Sequence, residues 1–195
     1  MKFSNHYKMG YLIWEKMAAN DMQLRKRLFC LGNLVPDLTG SFMFRLHSYS
    51  SCGMRLKKLM RRLFGGSFVR NGILFSFYSG VMSHYICDFL CFPHTTSFKG
   101  NLREHRLYEK SQVVKAEDML PFNRQISMNY SYSELILCIE DHIDRREQML
   151  VESISASTSD IPLAVHVAIW AASAIYLRVG QVSEPEAMPS QLLSA

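Results

Sequence analysis

Apolar side chains recur along the chain with the spacing of α-helices. In residues 7–19 they stand at Met9, Leu12, Ile13 and Met17, which share one helical face. The same spacing predicts further helices over residues 21–31, 54–64, 71–90, 102–119, 133–153 and 161–178. No segment alternates with the period of two that a half-buried strand requires. The pattern therefore predicts an all-α fold, a bundle of six or seven helices.

Length and composition indicate one domain. The chain has 195 residues, of which 48% are hydrophobic and 20% charged, enough to bury a sizeable core. This balance excludes a disordered chain, a collagen-like repeat and a disulfide-rich scaffold. We expect residues 1–180 to form a single domain and residues 181–195 to form a flexible tail.

One segment requires a membrane test. Residues 161–177 carry no formal charge, and 17 residues is the lower limit for a membrane span. The segment is rich in alanine and contains His166 and Ser173, so we predict a buried core helix and no transmembrane span. The N-terminus lacks the apolar region of a secretory signal. The five cysteines are odd in number and form no CxxC pair, so we expect a cytoplasmic protein.

Seven histidines are present, and several stand at chemically useful distances from acids. His84 and Asp88 are four residues apart in the apolar segment 71–90, and His105 and Glu109 are four apart in the next helix. Residues with this spacing project from the same helical face. An imidazole and a carboxylate on a buried face must be paired, hydrogen-bonded or bound to metal.

Further candidates stand in irregular segments near these two helices. They are His94 after Pro93, Asp37 after the Gly-Asn-Leu-Val-Pro turn, His47 and His6. Imidazole and carboxylate groups are the ligands of hydrolytic zinc sites, where about three protein ligands leave room for water. The eight candidates suffice for two ions and a third. Simpler interpretations also exist. The two i, i+4 pairs could only support their helices, His47 could be a loop histidine, His6 an exposed histidine and Asp37 the cap of a turn.

The order Asp37, His47, His84-x-x-x-Asp88, His94, His105-x-x-x-Glu109 resembles that of the zinc-dependent phospholipase C family, which is related to the S1/P1-type nucleases. The flanking sequences GNLVPDL and GVMSHYICDFLCFPH are also similar to the family. The resemblance covers roughly residues 1–110. It implies a helical bundle with a central dinuclear or trinuclear zinc site.

Carried over residue by residue, the resemblance implies one zinc ion held by Asp37, His47, His84 and Asp88. It implies a second ion held by His94, His105 and Glu109. The family's third ion uses an N-terminal tryptophan, a histidine and a shared aspartate. His6 and Asp88 match the last two, but this sequence begins with methionine. We therefore expect two zinc ions and leave the third open.

The resemblance further implies hydrolysis of a phosphoric ester by metal-activated hydroxide attack on phosphorus. Asp37 is the candidate catalytic carboxylate, which would orient the water or accept its proton. A phospholipid headgroup ester is the favoured substrate, and no substrate-binding residue is identified. The alternatives are a P1-like nuclease and a non-catalytic zinc-binding or interaction protein. An HD-type phosphohydrolase is disfavoured, because the chain has only Asp141-His142, in reverse order.

Charge is distributed unevenly along the chain. The net charge is +5, and residues 38–87 contain seven basic residues and no acid. The basic helix predicted over residues 54–64 favours peripheral contact with an anionic membrane, although nucleic acid is a second anionic partner. The simpler interpretation places the apolar stripe of this helix in the core and its basic side chains in solvent. His142 and His166 are interpreted as a solvated and a core histidine, respectively.

Overall fold

The computed structural model describes residues 3–38, 47–112, 114, 130–152 and 160–183. These residues form eight α-helices, one 3₁₀ turn at Phe92–His94 and no strand, which confirms the predicted all-α fold. The additional helix relative to the prediction is the short α3. The helices are α1 Phe3–Ala18, α2 Lys26–Gly32, α3 Val35–Leu38, α4 Tyr49–Phe64, α5 Ile73–Leu90, α6 Leu102–Ser111, α7 Tyr132–Glu152 and α8 Asp160–Ser183.

Two apolar helices, α5 and α8, form the centre of the bundle. α5 packs against α2, α4 and α8, and α8 also packs against α1. By length and composition, Asp160–Gly180 of α8 could cross a membrane, but 78% of its most apolar window is buried against the rest of the protein. This burial agrees with the predicted core helix. α8 continues to Ser183, three residues into the predicted tail, and residues 184–195 lie outside the described part of the chain.

Two glycines allow α2 and α5 to approach closely. A Cβ atom on Gly32 would overlap the backbone oxygen of Phe77, and one on Gly80 would overlap the backbone oxygen of Phe29. Because each glycine faces the backbone of the other helix, any side chain at either position would separate the helices. This contact brings the end of α2 next to the C-terminal half of α5.

The basic helix begins earlier than predicted, at Tyr49 instead of residue 54. Ser48 and Ser51 form a reciprocal capping box at its start. The apolar stripe is in the core, where Leu56, Met60 and Leu63 are fully buried. The simpler interpretation of the apolar stripe is therefore correct, and this stripe is not free to enter a membrane.

Three local predictions are wrong. The helix predicted over residues 21–31 begins only at Lys26, and Asp21 has a left-handed backbone (φ 59°) in the turn after α1. Asp37 was predicted in an irregular segment, but it lies within the short helix α3. Proline is tolerated in the first turn of a helix, so Pro36 does not prevent α3 from forming. α6 ends at Ser111 instead of residue 119. Its last turn is closed by Asn5, whose side-chain amide donates to the carbonyl groups of Glu109 and Gln112. Pro121, the predicted stop, lies outside the described residues.

Candidate metal centre

All eight predicted ligands surround the C-terminal half of α5. α5 contributes His84 and Asp88, which are fully buried, and the other six come from five different segments. These six are His6 on α1, Asp37 on α3, His47 just before α4, His94 in the 3₁₀ turn, and His105 and Glu109 on α6. A cluster of imidazoles and carboxylates so deep in a helical bundle requires compensation by partners or by bound cations.

The first group of side chains has the dimensions of a tetrahedral metal site. His47 Nδ1 lies 3.2 Å from His84 Nε2 and 3.1 Å from Asp88 Oδ2, and the latter two atoms are 3.2 Å apart. Asp37 Oδ1 lies 3.7 Å from His84 Nε2 and 3.9 Å from His47 Nδ1. With zinc–ligand bonds of 2.0–2.1 Å, the edges of a tetrahedron are about 3.3 Å long. These four side chains therefore fit one zinc ion with little movement.

The tautomer of His84 is fixed by the backbone of the loop after α2. His84 Nδ1 lies 2.9 Å from the carbonyl oxygen of Asn33. Since a carbonyl group only accepts hydrogen bonds, Nδ1 carries the proton and Nε2 presents its lone pair to the cluster. A second partner of this kind orients histidine ligands in metal sites. Asn33 is adjacent to Gly32, so the close packing of α2 on α5 sets this contact.

Asp88 joins the first group to the remaining ligands. Its Oδ2 atom faces His47 and His84, whereas its Oδ1 atom lies 3.2 Å from His6 Nε2 and 3.6 Å from His94 Nε2. His6 Nε2 also lies 3.5 Å from Asp37 Oδ2. One carboxylate thus faces two sets of imidazoles, the arrangement expected of a ligand that bridges two ions.

The second group consists of His94, His105 and Glu109. Their ligand atoms lie within 4.8 Å of one another, as do those of His6, Asp37, His84 and Asp88. His105 Nε2 forms a hydrogen bond of 2.5 Å with Glu109 Oε1. The proton in this bond lies between the two atoms whose lone pairs would bind an ion. A bound zinc ion would therefore displace this proton.

The electrostatics of the cluster favour a cation. Burial alone raises the pKa of Asp88, but the imidazoles of His94, His84 and His6 outweigh this effect and hold the pKa well below its usual range. Burial lowers the pKa of His94 and of His6. Burial also raises the pKa of Glu109, but the hydrogen bond from His105 lowers it to about 2. Burial also lowers the pKa of His84, but the nearby carboxylates, Asp88 first among them, outweigh burial and raise this pKa, so a zinc ion would displace the proton that Asp88 attracts.

Several buried polar atoms are left without a hydrogen bond. Both ring nitrogens of His6, Oδ2 of Asp37 and Nδ1 of His105 have no hydrogen-bond partner among the described residues. Unsatisfied buried groups of this kind are costly, and they concentrate here on the ligand set itself. The residues present therefore fit zinc, with His6, Asp37 and Asp88 available for an ion beyond the first two.

Three contributions to the site were missed from the sequence: Asn5, Asn33 and the Gly32–Gly80 contact. Asparagine and glycine have no characteristic spacing, and their roles depend on backbone groups that only the fold brings near.

The reversed pair Asp141-His142 lies on α7, apart from the cluster. Asp141 pairs with Arg145, and the half-buried His142 ring packs 6.5 Å from that of Trp170. His166 is half-buried on α8.

The fold and the cluster define an all-α protein with a candidate multinuclear metal centre. A family model described as zinc dependent phospholipase C matches residues 5–149, well over half of the chain. The chain therefore belongs to the zinc dependent phospholipase C family, which supports a zinc-dependent phosphoesterase. No curated protein and no solved structure matches the chain significantly.

Proposed function

We propose that this protein hydrolyses phospholipid headgroup esters with two zinc ions, and that a third ion is accommodated beside His6. The observation that carries the proposal is the position of Asp88, buried between two sets of imidazoles with one oxygen toward each. Carboxylate bridges of this kind suit two-metal phosphoester hydrolysis. The family description supports a lipid phosphoester over other substrates.

The ligand assignment is the one that the family resemblance implies, and the distances are compatible with it. Asp37, His47, His84 and Asp88 would hold the first ion, and His94, His105 and Glu109 the second. His6 and Asp88 would contribute to the third. The chemistry that zinc supplies at such sites is activation of water near neutral pH and neutralisation of charge on the phosphoryl group.

Asp37 is the proposed catalytic carboxylate. Its side chain is 22% exposed, whereas those of His84 and Asp88 are fully buried, so the first group opens to solvent at Asp37. A substrate phosphate and its attacking water would enter on this side. The carboxylate of Asp37 would orient that water or accept its proton.

A second proposal concerns the membrane. A groove between α4 and α7 has a volume of about 880 Å³ and is lined by basic and apolar side chains: Met54, Arg55, Lys57, Lys58, Arg61, Arg62, Tyr132, Ser133, Ile136 and Leu137. Because the apolar stripe of α4 is buried, contact with a membrane would be electrostatic and would use anionic headgroups. We propose a cytoplasmic protein that binds anionic membrane surfaces through this groove.

The hydrolytic function is tested by metal analysis and turnover. We expect at least two zinc ions per chain and zinc-dependent hydrolysis of a chromogenic phosphodiester and of phospholipid vesicles. Fully metallated protein without turnover would support the non-catalytic zinc-binding alternative. Hydrolysis of single-stranded nucleic acid without hydrolysis of phospholipid would support the nuclease alternative. Fewer than one zinc ion per chain, with no gain on adding metal, would contradict the proposal.

A further inference from the structure

Two ligands of the second group, His105 and Glu109, stand on a helix that apolar packing does not fix, and the third, His94, stands on a short turn in which Pro93 is buried. His105 is the one buried residue of α6, whereas Leu102 and Leu107 are 58% and 55% exposed. A short helix that buries so little apolar surface gains little stability from the core. The 3₁₀ turn with His94 has only three residues. Polar contacts must therefore help to fix the positions of α6 and of the 3₁₀ turn.

Asp160, the first residue of α8, provides such contacts. Its side chain is fully buried, and Oδ2 accepts a hydrogen bond of 2.9 Å from the backbone N–H of Phe92, at the start of the 3₁₀ turn. The same oxygen accepts a hydrogen bond from the hydroxyl group of Tyr108 on α6. Oδ1 pairs with Arg146 on α7, which compensates the buried charge.

Glu147 on α7 holds the other end of the turn. Its carboxylate accepts hydrogen bonds of 2.7 Å from the backbone N–H and from the hydroxyl group of Thr96, and one of 3.2 Å from the hydroxyl group of Ser97. His94 is thus flanked by backbone groups that are fixed on both sides, at Phe92 and Thr96.

Aromatic contacts extend this anchoring toward His105. The ring of Phe92 packs edge-on against Tyr108 at 5.7 Å and against Phe98 at 5.3 Å, and Phe98 packs against His105 at 6.0 Å. Tyr108 precedes Glu109, so its bond to Asp160 also limits rotation of α6. The buried carboxylate of Asp160 therefore contacts both the 3₁₀ turn and α6, the two elements that carry the three ligands of the second group.

We propose that Asp160 and Glu147 are positioning residues that set the geometry of the His94–His105–Glu109 zinc site. This inference rests on the proposed zinc binding, but not on hydrolysis. Asp160 lies beyond residues 5–149, the part of the chain that the family model matches. Asp160 bonds to the turn with His94 and to α6, and Glu147 bonds to the residues just after that turn, so we expect the effect to be confined to the second site.

The test measures zinc affinity of the full-length protein by competition with a chromogenic chelator. We expect Asp160→Asn to weaken one zinc site by roughly 10–100-fold, the usual cost of losing an outer partner, and to leave the other unchanged. Tyr108→Phe, which removes one of the two bonds to Oδ2, should weaken the same site less. Asp141→Asn is the matched control, because it removes an exposed aspartate–arginine pair from α7 without contact to the turn.

Glu147 is tested by comparing two substitutions. Glu147→Gln keeps a carbonyl oxygen that can accept from Thr96, and we expect it to bind zinc almost as the wild type does. Glu147→Ala should weaken the second site alone. Visible spectra of the cobalt-substituted protein report directly on the geometry of the affected ion, which a loss of stability alone would not change.

Equal weakening of both sites by Asp160→Asn would overturn the proposal, and so would unchanged affinities with a lower melting temperature. A wild-type protein that binds no zinc would overturn it as well. Failure of hydrolysis in a wild-type protein with two zinc sites would refute the proposed enzyme and leave the positioning role intact, because affinity and spectra are measured without substrate.

Discussion

Single residues determine how the cluster divides into sites, and Asp88 does so most directly. It is fully buried, and its two oxygens face different imidazoles. The i, i+4 spacing to His84 was readable from the sequence. The family resemblance implied that Asp88 shares one ion with His47 and another with His6, and the structure adds the distances and the approach of Asp88 to His94.

Substitutions of Asp88 and of Glu109 should differ in how many zinc sites they weaken. We expect Asp88→Asn to weaken both zinc sites, since the amide loses the charge that each set of imidazoles faces. Glu109→Gln should weaken the second site alone. Each loss should exceed the roughly 10–100-fold cost of removing an outer partner. Zinc per chain and chelator competition measure these losses.

Helical circular dichroism of each variant is the control for folding. If Asp88→Asn keeps the zinc content of the wild type, the bridging role is wrong.

Individual elements were well predicted where their apolar pattern was strong. α5, α7 and α8 begin and end within a few residues of the prediction, except that α8 extends to Ser183. The larger errors occurred at the short helices α2, α3 and α6, and at the start of α4, which lies five residues before the predicted one. Their ends depend on contacts with distant residues, such as that of Asn5 with the last turn of α6.

The contact between α2 and α5 predicts the effect of Gly80→Ala. The new methyl group would overlap the backbone oxygen of Phe29, which cannot rotate away. We expect a loss of about 1–3 kcal/mol in the free energy of unfolding. That loss corresponds to a fall of several degrees in the melting temperature. Zinc binding should weaken too, because Asn33 would move away from His84.

Gly53→Ala serves as the comparison and should cost less, since the atoms nearest to its methyl group, at 2.9–3.2 Å, belong to the side chain of Tyr49 and not to a backbone. A Gly80→Ala protein as stable as this variant would contradict the account of the helix contact.

The groove on α4 predicts the effect of a charge reversal. Lys58 is exposed in this groove, and each basic residue near an anionic membrane contributes about 1 kcal/mol of binding free energy. We expect Lys58→Glu to weaken binding to anionic vesicles roughly tenfold at low salt. Lys8→Glu changes the net charge equally on an exposed position of α1. Equal weakening by the two substitutions would mean that the groove has no specific role.

At the scale of the whole molecule, the metal centre lies at the junction of segments from α1 to α6. These segments meet only in the native fold, so the unfolded chain offers no comparable site. Binding to the native state alone stabilises it by about 4 kcal/mol for each ion at a thousandfold excess over Kd. The cluster therefore links the metal content of the protein to its stability.

Removal of both zinc ions should accordingly lower the melting temperature by roughly 20 °C, since about 8 kcal/mol is lost and each kcal/mol corresponds to about 2–4 °C in a chain of this size. Differential scanning calorimetry with and without a chelator measures this fall. Added zinc should restore the melting temperature, whereas magnesium should not, since it prefers six oxygen ligands. A melting temperature that does not respond to the chelator would show that these residues hold no stabilising metal.

The sequence by itself determined the helical class, the main helices and the identity of the candidate ligands. It could do so because helical periodicity and i, i+4 pairs are local properties of the chain. The grouping of these ligands and the shared role of Asp88 were implied by the family resemblance. Only the tertiary structure gave the distances within each group, the approach of Asp88 to His94, and the burial of the apolar stripe of α4. It also revealed the support from Asn33, Glu147 and Asp160. These features depend on backbone groups and side chains from distant segments, which no local pattern records.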